Sequence, residues 1–67
     1  MEFKDKLVYV RAKLNLTQYE LANQLGVSFA TVNRWENDVT KPSKTAIVNF
    51  KEFCINRKIS MNEGKDD

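Results

Sequence analysis

Apolar side chains recur along this chain at helical intervals. Phe3, Leu7, Val10 and Leu14 fall at i, i+4, i+7 and i+11, which is one face of a helix from about Glu2 to Leu14. Glu2 and Asp5 stand near its start, where the helix dipole favours acids. The stretch Asn15-Leu16-Thr17 breaks it. A second helix follows Thr17: Thr17 and Glu20 have the spacing of a capping box, and Leu21, Ala22 and Leu25 make an apolar face. Gly26 ends it in the manner of a left-handed residue. A third helix starts after Ser28, a good N-cap, and runs from Phe29 to about Asn37 with Val32 and Trp35 turned inward. After the loop closed by Pro42, Ser43 caps a fourth helix that runs to about Lys58.

The fourth helix is apolar over a wide arc. Ile47, Phe50, Phe53 and Cys54 mark one face, expected to meet the core. Val48, Ile55 and Ile59 mark a second stripe about 100° further round. A helix so broadly apolar in so small a chain has more to cover than its own core, so this second stripe is the candidate surface for a homodimer or a larger protein partner. Singly exposed apolar residues, ordinary on small proteins, are the alternative reading. No period-2 alternation lasts long enough for a strand. The expected fold is all-α, a compact bundle of four or five short helices. Residues 1–60 form one domain, and residues 61–67 form a polar C-terminal tail.

Size and charge narrow the functions. A chain of 67 residues supports one small core and no cofactor domain. Cys54 is the only cysteine, so no intramolecular disulfide forms. It lies among aromatic residues and reads as a small buried hydrophobe. No secretory leader or membrane-length apolar run is present, and the cytoplasm is the expected location. The net charge is +2, but Glu63, Asp66 and Asp67 outweigh Lys65 at the end, leaving residues 1–62 at +4. That mild basicity permits a polyanionic partner without demanding one. With no His, no Gly-rich phosphate loop and no cluster of metal-ligating types, an enzyme is not expected. Nor is a metal, a cofactor, a small-molecule substrate or a membrane partner.

The sharpest signal is a spacing. The second and third helices are separated only by Gly26-Val27-Ser28, and so short a link forces a steep crossing. From Arg11 to Pro42 the chain reads RAKLNLTQYELANQLGVSFATVNRWENDVTKP. An Arg late in the first helix, a TQxELA second helix, a GVS turn, a third helix ending in WEN, and a following KP together resemble the Cro/repressor-type helix-turn-helix family of phage repressors and xenobiotic-response regulators. The resemblance covers about half the chain. It implies a phage-repressor-like bundle, with the helix-turn-helix at helices 2 and 3, that binds double-stranded DNA.

The residues can be weighed against that expectation. Ala30, Asn33, Arg34 and Asn37 sit at i, i+3, i+4 and i+7 and share a face. A helix fits the major groove of B-DNA, where Arg reads guanine and Asn reads adenine. Arg34 is the first candidate reader, then Asn33 and Ala30, with Phe29 if its ring faces out and Thr31 nearer the turn. A merely solvated face is the alternative. Gln18, at the start of the second helix, is placed for a phosphate, and the resemblance gives it a bracing role toward the recognition helix. Thr17, Ser28, Asn37, Thr40, Lys41 and Lys44 are the other phosphate candidates, with simple solubility as the alternative for the two lysines. The family also pairs an Arg and a Glu at the positions of Arg11 and Glu36 in a structural salt bridge. It often has Gly after the EN pair, where this chain has Asp38, a residue that tolerates a left-handed turn.

The expected function is sequence-specific DNA binding, most simply in a prokaryotic or phage transcriptional regulator of repressor type. One alternative is a DNA-targeting or protein-docking module of a larger complex, such as a restriction-modification or toxin-antitoxin system. A protein-interaction module that never touches DNA is the other, since a fold alone does not fix a function.

Overall fold

Four helices make up the bundle: α1 (Phe3–Leu14), α2 (Gln18–Leu25), α3 (Phe29–Glu36) and α4 (Lys44–Asn56). The computed structural model describes residues 2–60, and no strand occurs among them. The tail expected at 61–67 lies outside the described residues.

Side-chain caps set three of the starts. The Glu20 amide donates to Thr17 Oγ1 at 3.0 Å and the Thr17 amide donates to Glu20 Oε1 at 2.9 Å, completing the capping box of α2. Ser28 Oγ accepts from the Thr31 amide at 3.2 Å, and Ser43 Oγ accepts from the Ala46 amide at 3.1 Å. α1 begins after Glu2 without a side-chain cap bond.

The four stops share one geometry. Asn15, Gly26, Asp38 and Lys58 each adopt positive φ, between 57° and 73°. The amide of the next residue then reaches back five positions: Leu16 to Arg11 O, Val27 to Ala22 O, Val39 to Arg34 O and Ile59 to Cys54 O, all at 2.8–3.0 Å. This is the bonding of a Schellman ending, which satisfies carbonyls the helix leaves open.

The core takes Leu7 and Val10 from α1, Leu21 and Ala22 from α2, Val32 and Trp35 from α3, and Phe50, Phe53 and Cys54 from α4. Phe3 packs edge-on against Trp35 and Phe50, with ring centroids 5.4 and 5.2 Å apart, and ties the start of α1 to α3 and α4.

Two expectations for α4 change. Ile47, assigned to the core face, is 43% exposed. The inward arc is centred on Phe50 and Phe53, and Ile47 stands about 120° from Phe53; Ala46 packs there instead. Ile59, assigned to the outer stripe, packs against the core. α4 ends at Asn56, so the left-handed turn at Lys58 folds Ile59 back inward, the apolar contact that accompanies a Schellman ending. Val48 and Ile55 do remain exposed.

Candidate nucleic-acid interface

The third helix is anchored by side chains from both helices that precede it. Glu36, at its end, has a side chain only 6% exposed. Its carboxylate accepts from Arg11 Nε at 2.8 Å and from Arg11 Nη2 at 3.0 Å, a two-pronged ion pair joining α1 to α3. Arg11 Nη1 also donates to the Leu16 carbonyl at 3.3 Å. The bonds from Glu36 raise the Arg11 pKa above its ordinary value, with burial acting the other way.

The network does not stop at the ion pair. Gln18 Nε2 donates to Glu36 Oε1 at 2.8 Å, and Gln18 Oε1 accepts from Asn33 Nδ2 at 3.1 Å. Asn33 Oδ1 in turn accepts from Asn37 Nδ2 at 3.2 Å. Five side chains from α1, α2 and the α3 region thus form one connected series: Arg11, Glu36, Gln18, Asn33, Asn37. An amide has two N–H donors and an oxygen with two lone pairs. Asn33 therefore keeps one N–H and one acceptor position beyond the network.

Around this brace, α3 turns Ala30, Arg34 and Asn37 to solvent, with Asn33 half-buried at the edge of the same face. Phe29, whose orientation the sequence left open, is 47% exposed. Thr31 sits differently. It is half-buried, and its hydroxyl lies 2.9 Å from that of Ser28, so it belongs to the helix cap rather than to the open face. Trp35 is in the core, as expected.

The phosphate candidates divide likewise. Thr17 and Ser28 use their hydroxyls in caps. Gln18 is bound into the network, while its backbone amide stands in the first turn of α2, where amides have no partner within the helix. Thr40, Lys41 and Lys44 are exposed in the loop after α3 and at the start of α4. Lys41 Nζ lies 3.2 Å from Asp38 Oδ1, an exposed pair of little energetic weight.

The resemblance anticipated both the Arg11–Glu36 pair and a bracing Gln18; that Gln18 also bonds Glu36, and that Asn33 is its partner on α3, was not legible in the spacing. Sequence reasoning also missed Arg57, which donates to Gln24 Oε1 and lies over the Phe53 ring at 4.9 Å, tying the end of α4 to α2. Among the described residues no helix is long and apolar enough to cross a membrane.

Comparison with known proteins agrees with this geometry. The helix-turn-helix family model matches residues 7–49. Among curated proteins, the HTH-type transcriptional activator BcrR of Enterococcus faecalis is 38% identical over 53 residues, covering 79% of this chain and 26% of the relative. The chain thus spans about a quarter of the length of that relative. No solved structure matches significantly. With the tight turn, the partly buried Arg–Glu pair and the family match over residues 7–49 in agreement, this chain belongs to the Cro/repressor-type helix-turn-helix family of DNA-binding domains.

Proposed function

We propose that the chain is the sequence-reading module of a transcriptional regulator and that α3 enters the major groove of duplex DNA. The observation that carries this reading is the open Ala30–Arg34–Asn37 face above a partly buried brace. Arg34 is the principal reader, with a fork of donors suited to guanine. Ala30 is small enough to let the helix sit deep. Asn33 offers its remaining N–H and acceptor to an adenine, and Phe29 offers an apolar edge to a thymine methyl. Phosphates are met by Gln18, the first amides of α2, and the segment Thr40–Lys44, with Thr17, Ser28 and Asn37 at the margin. Thr31 contributes through the cap it shares with Ser28.

The E. faecalis relative is a transcriptional activator. A regulator of either sign would use the same reading face. The family's operators suit paired domains on half-sites about one helical turn apart. A homodimer, or a larger protein partner, would meet this chain on α4 at Val48 and Ile55, both exposed apolar residues. The cytoplasm is where such a regulator works, and binding by occupancy calls for no catalytic group.

Selection of random duplex DNA by the purified protein tests the reading. Enrichment of a defined site, weakened steeply by salt, is the expected result. A two-fold symmetric site supports the paired arrangement, and a single half-site supports delivery by a partner. No enrichment at low salt refutes the DNA-reading role and returns the domain to a protein-interaction role.

A further inference from the structure

α4 carries more apolar surface than the core uses. Ile47 and Ile55 are 43% and 65% exposed. With Phe3 and Phe50 they line a groove of about 550 Å³ between the start of α1 and α4. Lys51 and Lys58 stand exposed on its α4 side, and no acidic side chain lines it among the described residues. The groove is thus apolar at the floor and basic along one wall. None of the candidate base readers or phosphate contacts lines it, so it shares no residue with the proposed DNA face.

The spacing of its lining suits a helix. Ile47, Lys51 and Ile55 fall at i, i+4 and i+8, one stripe of α4 about 12 Å long. Lys58, in the turn after α4, closes that end. Two turns of a partner helix offer apolar anchors at i, i+3 or i+4, and i+7 over nearly the same length. We infer that this groove seats an amphipathic helix of a partner protein. Its apolar stripe rests on Ile47 and Ile55, and acidic residues beside the stripe meet Lys51 and Lys58.

Charge selects this occupant. A second copy docking by the same face would be isologous and would gather the lysines of both chains into one small interface, where like charges oppose association. A nucleic acid would satisfy the lysines and leave the isoleucines against a charged backbone. An acidic amphipathic helix answers both parts of the surface. This gives a chemistry and a seat to the partner proposed for α4. The inference does not rest on DNA reading, and its test involves no DNA.

The test uses the full 67-residue chain and two synthetic helical peptides of about 18 residues, long enough to hold some helix alone. Both carry leucines at i, i+3, i+4 and i+7. One has Glu at the flanking positions, and the other has Lys there. In methyl spectra the Glu peptide should shift the δ-methyls of Ile47 and Ile55 and bind roughly tenfold more tightly than the Lys peptide. In the double variant Lys51→Glu, Lys58→Glu that order should reverse, while the Leu7 and Val10 methyls hold their positions and report an intact fold. Equal binding of the two peptides overturns the charge pairing on which the proposal stands. Shifts confined to Arg34, Lys41 and Lys44 overturn it too, because the peptide then acts as a polyanion on the DNA face. So does failure of both peptides to bind at millimolar concentration. Sedimentation showing self-association that Ile55→Asp abolishes also overturns it, because a second copy then occupies the groove.

Discussion

Arg34 and Glu36 are two positions apart on α3 and act in different places. Arg34 is exposed, so Arg34→Ala should leave the melting temperature almost unchanged. Its cost should appear in DNA binding, at about 1–3 kcal/mol, with relaxed preference at one base pair. Glu36 accepts from Arg11 and Gln18 in a nearly closed environment. Glu36→Ala leaves the guanidinium with only the Leu16 carbonyl among these partners. Because Arg11 is a quarter exposed and partly solvated, the loss should sit at the low end for a broken buried pair, about 3 kcal/mol. Parallel thermal melts and binding titrations of the two variants check both statements; equal melting temperatures would remove the structural role of Glu36. Cys54 gives a pH signature. Burial raises its pKa above the ordinary 9.0, with the Lys6 charge acting against the rise. Below pH 9 the folded and unfolded thiols both hold their protons. As pH climbs further the unfolded thiol ionises first, so stability falls until the folded pKa is passed. Cys54→Ala should flatten the decline of melting temperature above pH 9.

At the scale of the element, the helix ends are where sequence and structure agree best and also where they part. Thr17, Glu20, Ser28 and Ser43 were legible as caps because their side chains are short acceptors or reach back to the free amides. Gly26 and Asp38 were legible as left-handed stops from their residue types. Lys58 was not, since lysine has no preference for positive φ. It holds 59° because the inward pull on Ile59 sets the turn. The same cause hid the fates of Ile47 and Ile59: periodicity assigns faces, but only packing decides which part of a wide apolar arc meets the core. The Arg11–Glu36 pair could be anticipated from the motif, whereas the amide bonds of Gln18 and Asn33 depend on rotamers that spacing does not encode. Asp38 has φ 60° and only an exposed contact with Lys41 to lose. Asp38→Gly should therefore stabilise the fold by about 0.5–1 kcal/mol, a rise of several degrees for a domain this size. An unchanged or lower melting temperature would show that the strain is already offset.

For the whole molecule, the mild basicity sets how it should respond to salt. Lys41 and Lys44 are the exposed cations outside the reading face that the proposed docking puts near phosphates. Each neutralised phosphate contributes about −0.9 to the slope of log K against log salt. A single copy should thus give a slope near −2 from these contacts, and a pair near −4. Lys44→Ala should lower every site alike and reduce the slope by about 1 per copy. A slope near zero would mean that the charged loop faces away from DNA. The aromatic junction of Phe3, Trp35 and Phe50 makes the fold report on itself. Trp35, the only tryptophan, is in the core and packs on Phe3 of α1, which in turn packs on Phe50 of α4, so its fluorescence follows loss of the bundle and not local fraying.

The connected series from Arg11 to Asn37 has a consequence for transplanting specificity. A recognition helix is often imagined as a cassette, to be moved between scaffolds with its preference intact. Here Asn33 is oriented by Gln18, and Gln18 shares its carboxylate partner with Arg11. The segment Phe29–Glu36, grafted alone into a sister domain lacking those two residues, would carry its letters without their alignment. If α3 reads DNA as proposed, the heritable unit of recognition in this chain begins eighteen residues before that helix, at Arg11.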